Sequence, residues 1–173
     1  MSDRRKMTEV KIGIVGSRKR DPLNKIRQLL QQAIALNPNK QIIVVSGGAH
    51  GTDKCAETIA NELGLKTQIF HPNYAKGGTR IFFERNKLIA ENSDILIAFP
   101  LNMEGGTMNT VNWWNKLNKP KENLLIYNKT ARGRTRMNEK EITEENFLQE
   151  FIKTLKLLNK KCSPYKNEEA EEG

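Results

Sequence analysis

Residues 42–63 constrain the fold more than any other part of this 173-residue chain. Ile42-Ile43-Val44-Val45 is a continuous β-branched run, of the kind buried on both faces of a parallel sheet. It breaks into Ser46-Gly47-Gly48-Ala49-His50-Gly51-Thr52-Asp53, after which Ala56, Ile59, Ala60 and Leu63 recur at helical spacing. Strand, glycine-rich turn and helix in that order specify one unit of an α/β fold. Gly47, Gly48 and Gly51 leave room for a ligand to approach the backbone, and the helix start beyond them offers N–H groups and a positive dipole end to an anion. Asp53 is placed to cap that helix. The glycine spacing differs from the dinucleotide fingerprint, and no Gly-Lys-Ser/Thr follows as in a Walker loop. The turn thus points to a nucleotide or nucleic-acid phosphate without distinguishing them.

The same alternation runs along most of the chain. Strands are expected at residues 10–15, 42–45, 67–70, 95–99 and 124–127. Between them fall helices. The first starts near Pro22, buries Leu23, Ile26, Leu30 and Ala33, and stops at Asn37-Pro38-Asn39. The second ends at Gly64, the third covers residues 79–92 and the fourth residues 107–117. A last helix over residues 143–158 carries Phe147, Leu148, Phe151, Ile152 and Leu155 on one stripe. Strands joined through helices imply right-handed crossovers. The expected fold is therefore α/β: a doubly wound, mainly parallel Rossmann-like sheet of about five strands with helices on both faces, plus a C-terminal helix. It forms one domain over residues 10–158, with a basic extension at residues 1–9 and a disordered acidic tail at residues 159–173, where Glu168, Glu169, Glu171 and Glu172 cluster.

Ligands of such sheets bind beyond the carboxyl ends of the strands. Three loops lie at such ends: Gly16-Ser17-Arg18, Gly47 to Thr52, and Glu104-Gly105-Gly106-Thr107. Arg18 can pair bidentately with a phosphate, and Gly105-Gly106-Thr107 opens the fourth helix as a second anion site, with Thr107 and Thr110 supplying hydroxyls or Thr107 only a cap. Asp53 and Glu104 are the carboxylates nearest these loops; either could act as a general acid or base or accept from a ribose hydroxyl. Their simpler readings are a helix cap and a solvated side chain. Arg85-Asn86 lies in the third helix among Phe82, Phe83, Leu88 and Ile89, so part of that face is covered. In Trp113-Trp114 one ring is expected in the core and the other at a subunit interface.

The formal charge of +9 favours an anionic ligand or a polyanionic partner. Lys129, Arg132, Arg134, Arg136 and Lys140 concentrate that charge in one late loop, residues 128–140, a candidate nucleic-acid contact. No apolar run is long enough to span a membrane and the N-terminus has no signal-peptide core, so a cytoplasmic protein is expected. Cys55 and Cys162 form no spaced motif, and His50 and His71 lack metal-ligand spacing, so no metal is expected.

Taken in order, Ile14-Val15-Gly16-Ser17-Arg18, the Val45 to Asp53 segment, Arg85-Asn86-Lys87-Leu88-Ile89-Ala90, Ser93-Asp94-Ile95-Leu96-Ile97-Ala98-Phe99-Pro100, and Gly105-Gly106-Thr107 with Thr110-Val111 resemble the SLOG superfamily of Rossmann-like domains. That superfamily includes DNA-processing protein A and the Lonely Guy phosphoribohydrolases. The resemblance implies a nucleotide or nucleotide-derived ligand over the strand ends and a homodimer. Through DNA-processing protein A it implies, as an alternative, single-stranded DNA binding. It adds Arg85 and Asn86 to the phosphate site. The phosphoribohydrolases pair an arginine, here Arg85, with a glutamate at the position of Thr110. Threonine cannot act as a carboxylate, which argues against N-glycosidic hydrolysis unless Glu104 substitutes.

Overall fold

Side chains alternate across each strand, and that period of two sorts the core into two layers. Val10, Ile12, Ile14, Ile42, Val44, Ile95, Ile97 and Phe99 face one side; Val15, Val45, Leu96, Ala98, Leu124 and Ile126 face the other. The computed structural model describes residues 8–101, 105–129, 135–137, 140–141 and 144–162.

Five parallel strands form the main sheet: β1 (Glu9–Gly16), β2 (Gln41–Ser46), β3 (Lys66–Ile69), β4 (Ile95–Phe99) and β5 (Leu124–Ile126), in the order β3-β2-β1-β4-β5. The helices are α1 (Leu23–Leu36), α2 (Thr52–Glu62), α3 (Arg80–Glu91), α4 (Gly106–Lys116) and α5 (Glu144–Cys162). The first layer receives Ile26, Leu29, Leu30 and Ala33 of α1, Ala56, Ile59 and Ala60 of α2, and Phe147, Phe151 and Leu155 of α5. The second receives Ile89 of α3 and Val111 and Trp114 of α4. This is the expected doubly wound α/β sheet, with every pairing in it parallel.

Some expectations are corrected. Leu23 is 37% exposed: it is the first residue of α1, after the N-cap Pro22, and the buried stripe starts one turn later at Ile26. The basic segment is not all loop. β6 (Asn128–Lys129), β7 (Thr135–Met137) and β8 (Lys140–Glu141) pair antiparallel as a second, three-stranded sheet. α5 runs on to Cys162.

The helix ends follow local chemistry. After α2, Gly64 takes φ 72, and the Gly64 and Leu65 amides donate to Asn61 O (3.2 Å) and Ala60 O (2.8 Å). Asn118, φ 57, closes α4 with the same pair of bonds. Lys119 then turns inward: its Nζ donates to the main-chain oxygens of Ala90, Glu91 and Ser93 and lies 4.7 Å from the Trp114 ring centre. Burial holds its pKa below the usual lysine value. Arg20 is likewise drawn in. Its guanidinium sits 5.5 Å and 5.4 Å from the Phe99 and Tyr127 ring centres and donates to Pro100 O and Tyr127 O. Trp114 is fully buried and donates to Pro120 O at 2.9 Å, while Trp113 lies near Lys87 and Lys116.

Candidate functional site

β1 and β4 are neighbours in the sheet, but the chain leaves β1 for α1 on one face and β4 for α4 on the other. Their carboxyl ends therefore border the crevice that doubly wound sheets use for ligands. A cleft of about 370 Å³ lies there. Gly16, Ser17 and Arg18 line it from the β1 end, Ala49 and Asp53 from the start of α2, Phe82, Phe83, Arg85 and Asn86 from α3, and Gly105, Gly106, Thr107 and Thr110 from α4. Residues up to 95 positions apart in sequence, Val15 and Thr110, are thus gathered around one space. A second hollow of about 280 Å³ adjoins it, lined by Gly47, Gly48, His50, His71, Pro72 and Tyr74. The two share Arg18, Ala49, Phe82 and Arg85.

Arg85 is anchored from both sides of its guanidinium. Nη1 donates to Gly47 O at 2.8 Å and Nε to Asn86 Oδ1 at 2.9 Å. Asn86 in turn donates to Asn109 Oδ1 at 3.0 Å and Gly106 O at 3.4 Å, which ties α3 to the start of α4. The arginine is half-buried. Burial lowers its pKa, as does the nearby Arg18, against the opposing charge of Asp53. Two guanidiniums therefore converge on one space. Arg18 is exposed and, among the described residues, its side chain makes no hydrogen bond or ion pair.

Asp53 does not cap α2. Gly51 is the N-cap residue, with no side-chain cap bond, and Asp53 sits within the first turn. Its side chain points back under the glycine loop, where Oδ2 accepts from the Ala49 amide at 3.4 Å and the amides of Gly16 and Gly47 also favour its charge. Burial outweighs them and pushes the pKa up from 3.8 to about 6. The other oxygen, Oδ1, is buried without a hydrogen-bond partner. Thr107 is no cap either: Gly105, at φ 82, holds that position, and no acidic side chain occupies the first turn of α4. The first residues of α4, Gly106 and Thr107, line the cleft.

Gly51 and Thr52 line neither hollow. They lock the two loops together instead. Thr52 donates through both its amide (3.3 Å) and Oγ1 (3.2 Å) to Ser17 O. A Cβ at Gly51, where φ is 78, would come within 2.6 Å of the Arg18 backbone. At Gly47 a Cβ would lie 2.6 Å from Arg85 Nη1 and 3.0 Å from Asp53 Oδ2, so glycine there admits the arginine. Thr110 Oγ1 donates to Gly106 O at 3.3 Å, and Asp53 is the one carboxylate lining the cleft among the described residues. Glu104, Arg132 and Arg134 lie outside the described residues, and of Lys129, Arg136 and Lys140 only the strand positions are described. Tyr74 was not legible as a site residue; it is 69% exposed on a short 3-10 turn (Tyr74–Lys76), where no periodicity marks it.

Residues 3–73 match the family model of DNA recombination-mediator protein A. The fold is similar to DNA processing protein A from Helicobacter pylori, at 22% identity and a TM-score of 0.58, over 87% of this chain and 81% of that one. That protein binds single-stranded DNA. It is also similar to DNA processing protein A from Streptococcus pneumoniae, at 18% identity and a TM-score of 0.54, over 69% of this chain. The chain spans 50% of that protein's length. No curated protein sequence matches the chain. The sheet order and these likenesses show a doubly wound Rossmann-like α/β fold similar to that of DNA processing protein A.

Proposed function

We propose that the strand-end trough binds the phosphate backbone of single-stranded DNA. The observation that carries this reading is the continuity of the two hollows through Arg18 and Arg85. A compact ligand needs one hollow; an extended chain with regularly spaced phosphates uses both and passes the two guanidiniums. Tyr74, Phe82 and Phe83 add aromatic surface beside those cations, the combination on which unpaired bases stack. The formal charge of +9 and the likeness to a protein that binds single-stranded DNA support the same reading.

Fluorescence anisotropy with labelled oligo(dT) and a matched duplex, at low and moderate salt, tests it. Preference for the single strand, with affinity falling as salt rises, is expected. Equal affinity for duplex, or no binding at low salt, overturns it.

A second reading takes the same cleft for a free nucleotide. Its volume of about 370 Å³ falls within the range of small-molecule pockets. Isothermal titration with nucleoside mono-, di- and cyclic phosphates separates the two, because a mononucleotide site saturates without an oligomer.

A further inference from the structure

The other end of the sheet carries a larger hollow, of about 730 Å³, between the close of α1 and the second half of α5. Two bonds place it there. Lys40, just before β2, donates to Asn159 Oδ1 at 2.9 Å, and Asn159 donates to Leu36 O at 3.4 Å. The hollow therefore sits near the amino ends of the strands, away from the cleft at their carboxyl ends. Its floor is apolar, formed by Leu36, Ile152 and Leu157, the last 38% exposed. Its rim is cationic. Lys153, Lys156 and Lys160 follow one another at helical spacing, so they stand on one face of α5, and all three are exposed. Among the described residues, the ammonium of none of them has a hydrogen bond or an ion pair. The neighbouring α1 has no acidic residue to offer. Like charges at this spacing repel one another. An acidic chain with one apolar anchor would complement both floor and rim.

We propose that this groove is the docking site of the acidic segment that follows α5 in the same chain, residues 163–173. Charge and reach select that occupant. α5 ends at Cys162, and Glu168, Glu169, Glu171 and Glu172 come soon after, against a single Lys166. These carboxylates complement the three ammonium groups of the rim, and Tyr165 supplies a ring for the apolar floor. Pro164 lacks the N–H that would carry the helix on. Glu168 is six residues past Cys162, about 20 Å of extended chain. Lys153 is nine residues back along the helix, about 14 Å. The glutamates can therefore double back over all three lysines. Each exposed pair is weak and screened by salt. Tethering compensates, because a short linker keeps the segment at an effective concentration of about a millimolar. The docked segment masks a row of cations that would otherwise draw polyanions to the wrong end of the sheet, far from Arg18 and Arg85. The inference stands independently of the single-stranded DNA reading, since it concerns another face and another partner.

Lysine acetylation rates, read by mass spectrometry on the full chain, test this. At low salt Lys153, Lys156 and Lys160 should react severalfold more slowly in wild type than in a variant carrying Glu168→Gln, Glu169→Gln, Glu171→Gln and Glu172→Gln. High salt should abolish the difference. Lys76, on the turn after β3, should react alike in both proteins. A chain truncated after Cys162 is the second variant and should match the glutamine variant. Carbodiimide cross-linking of wild type should join the three lysines to the tail glutamates within one chain, as read from a mixture of isotopically light and heavy protein. Equal acetylation of wild type and both variants at low salt overturns the proposal. Cross-links between light and heavy chains, or protection that rises with protein concentration, overturn it in favour of a segment supplied by a second copy. Protection that disappears on nuclease treatment overturns it in favour of a nucleic acid in the groove. Melting temperatures on the same preparations show that the proteins compared are equally folded.

Discussion

Arg85 Nη1 reaches 38 residues back along the chain to hydrogen-bond Gly47 O at 2.8 Å. This bond joins α3 to the loop after β2 and fixes the guanidinium at the point where the two hollows meet.

Removing the arginine should therefore have two effects. Arg85→Ala should weaken oligonucleotide binding by roughly tenfold to a hundredfold, the size of a lost charged hydrogen bond to phosphate. It should also lower the melting temperature, because Gly47 O loses its partner. Arg85→Lys should recover only part of the affinity, since an ammonium lacks the planar fork. Anisotropy and thermal melts on one preparation measure both.

Arg18 should behave differently. Its side chain is exposed and holds no other part of the described structure. Arg18→Ala should leave the melting temperature unchanged and reduce the slope of log affinity against log salt by about 0.7, the value for one phosphate contact on a single strand. A salt titration of wild type and variant reads that difference directly. An unchanged slope would remove Arg18 from the binding surface.

The raised pKa of Asp53 makes stability depend on pH in a defined direction. The folded protein holds this proton up to about pH 6, while an unfolded aspartate releases it near 3.8. Folding is therefore favoured by this group at acid pH, and the benefit is lost as pH rises from 3.8 to about 6. Above that range the buried charge costs on the order of 3 kcal/mol. Asp53→Asn has no charge to bury. Its melting temperature should exceed that of wild type by several degrees above pH 7, and the two should converge near pH 4, as followed by calorimetry.

Gly51 should tolerate no side chain. Alanine there must adopt φ near 78 and press against the Arg18 backbone. Gly51→Ala should destabilise the fold by roughly 2–4 kcal/mol, combining backbone strain with overpacking. Denaturant unfolding checks this. Gly64→Ala is the control, because its φ is also positive but nothing lies within 4 Å of the added carbon.

The main sheet was legible because its strands carry long signals. The β-branched run of β2 and the apolar run of β4 have no other stable home than a sheet covered on both faces. The helices showed through their apolar spacing. β6 to β8 did not show, since strands of two or three residues are too short for a period of two to register. At the site, the glycine loops could be read from composition and position. Arg85 and Asn86 entered through the family resemblance, because an arginine in a helix has no signature of its own. For Asp53 the sequence leaves a site carboxylate and a helix cap side by side, because aspartate near a helix start usually is a cap. Its burial depends on Gly51 taking the N-cap position, a backbone detail that composition does not encode.

The cations turned inward limit what the net charge of +9 can mean outside the protein. Lys119 directs its ammonium at three main-chain oxygens behind Trp114, and Arg20 lies between aromatic rings at the ends of β4 and β5. A polyanion passing over the surface meets two head groups whose hydrogen bonds are already made within the protein. Two proteins of equal net charge can thus differ widely in their hold on DNA. The useful measure is the number of guanidinium and ammonium groups that still face water. For this chain, neutralising Lys119 would loosen the join between α3 and α4 long before it changed attraction to a nucleic acid.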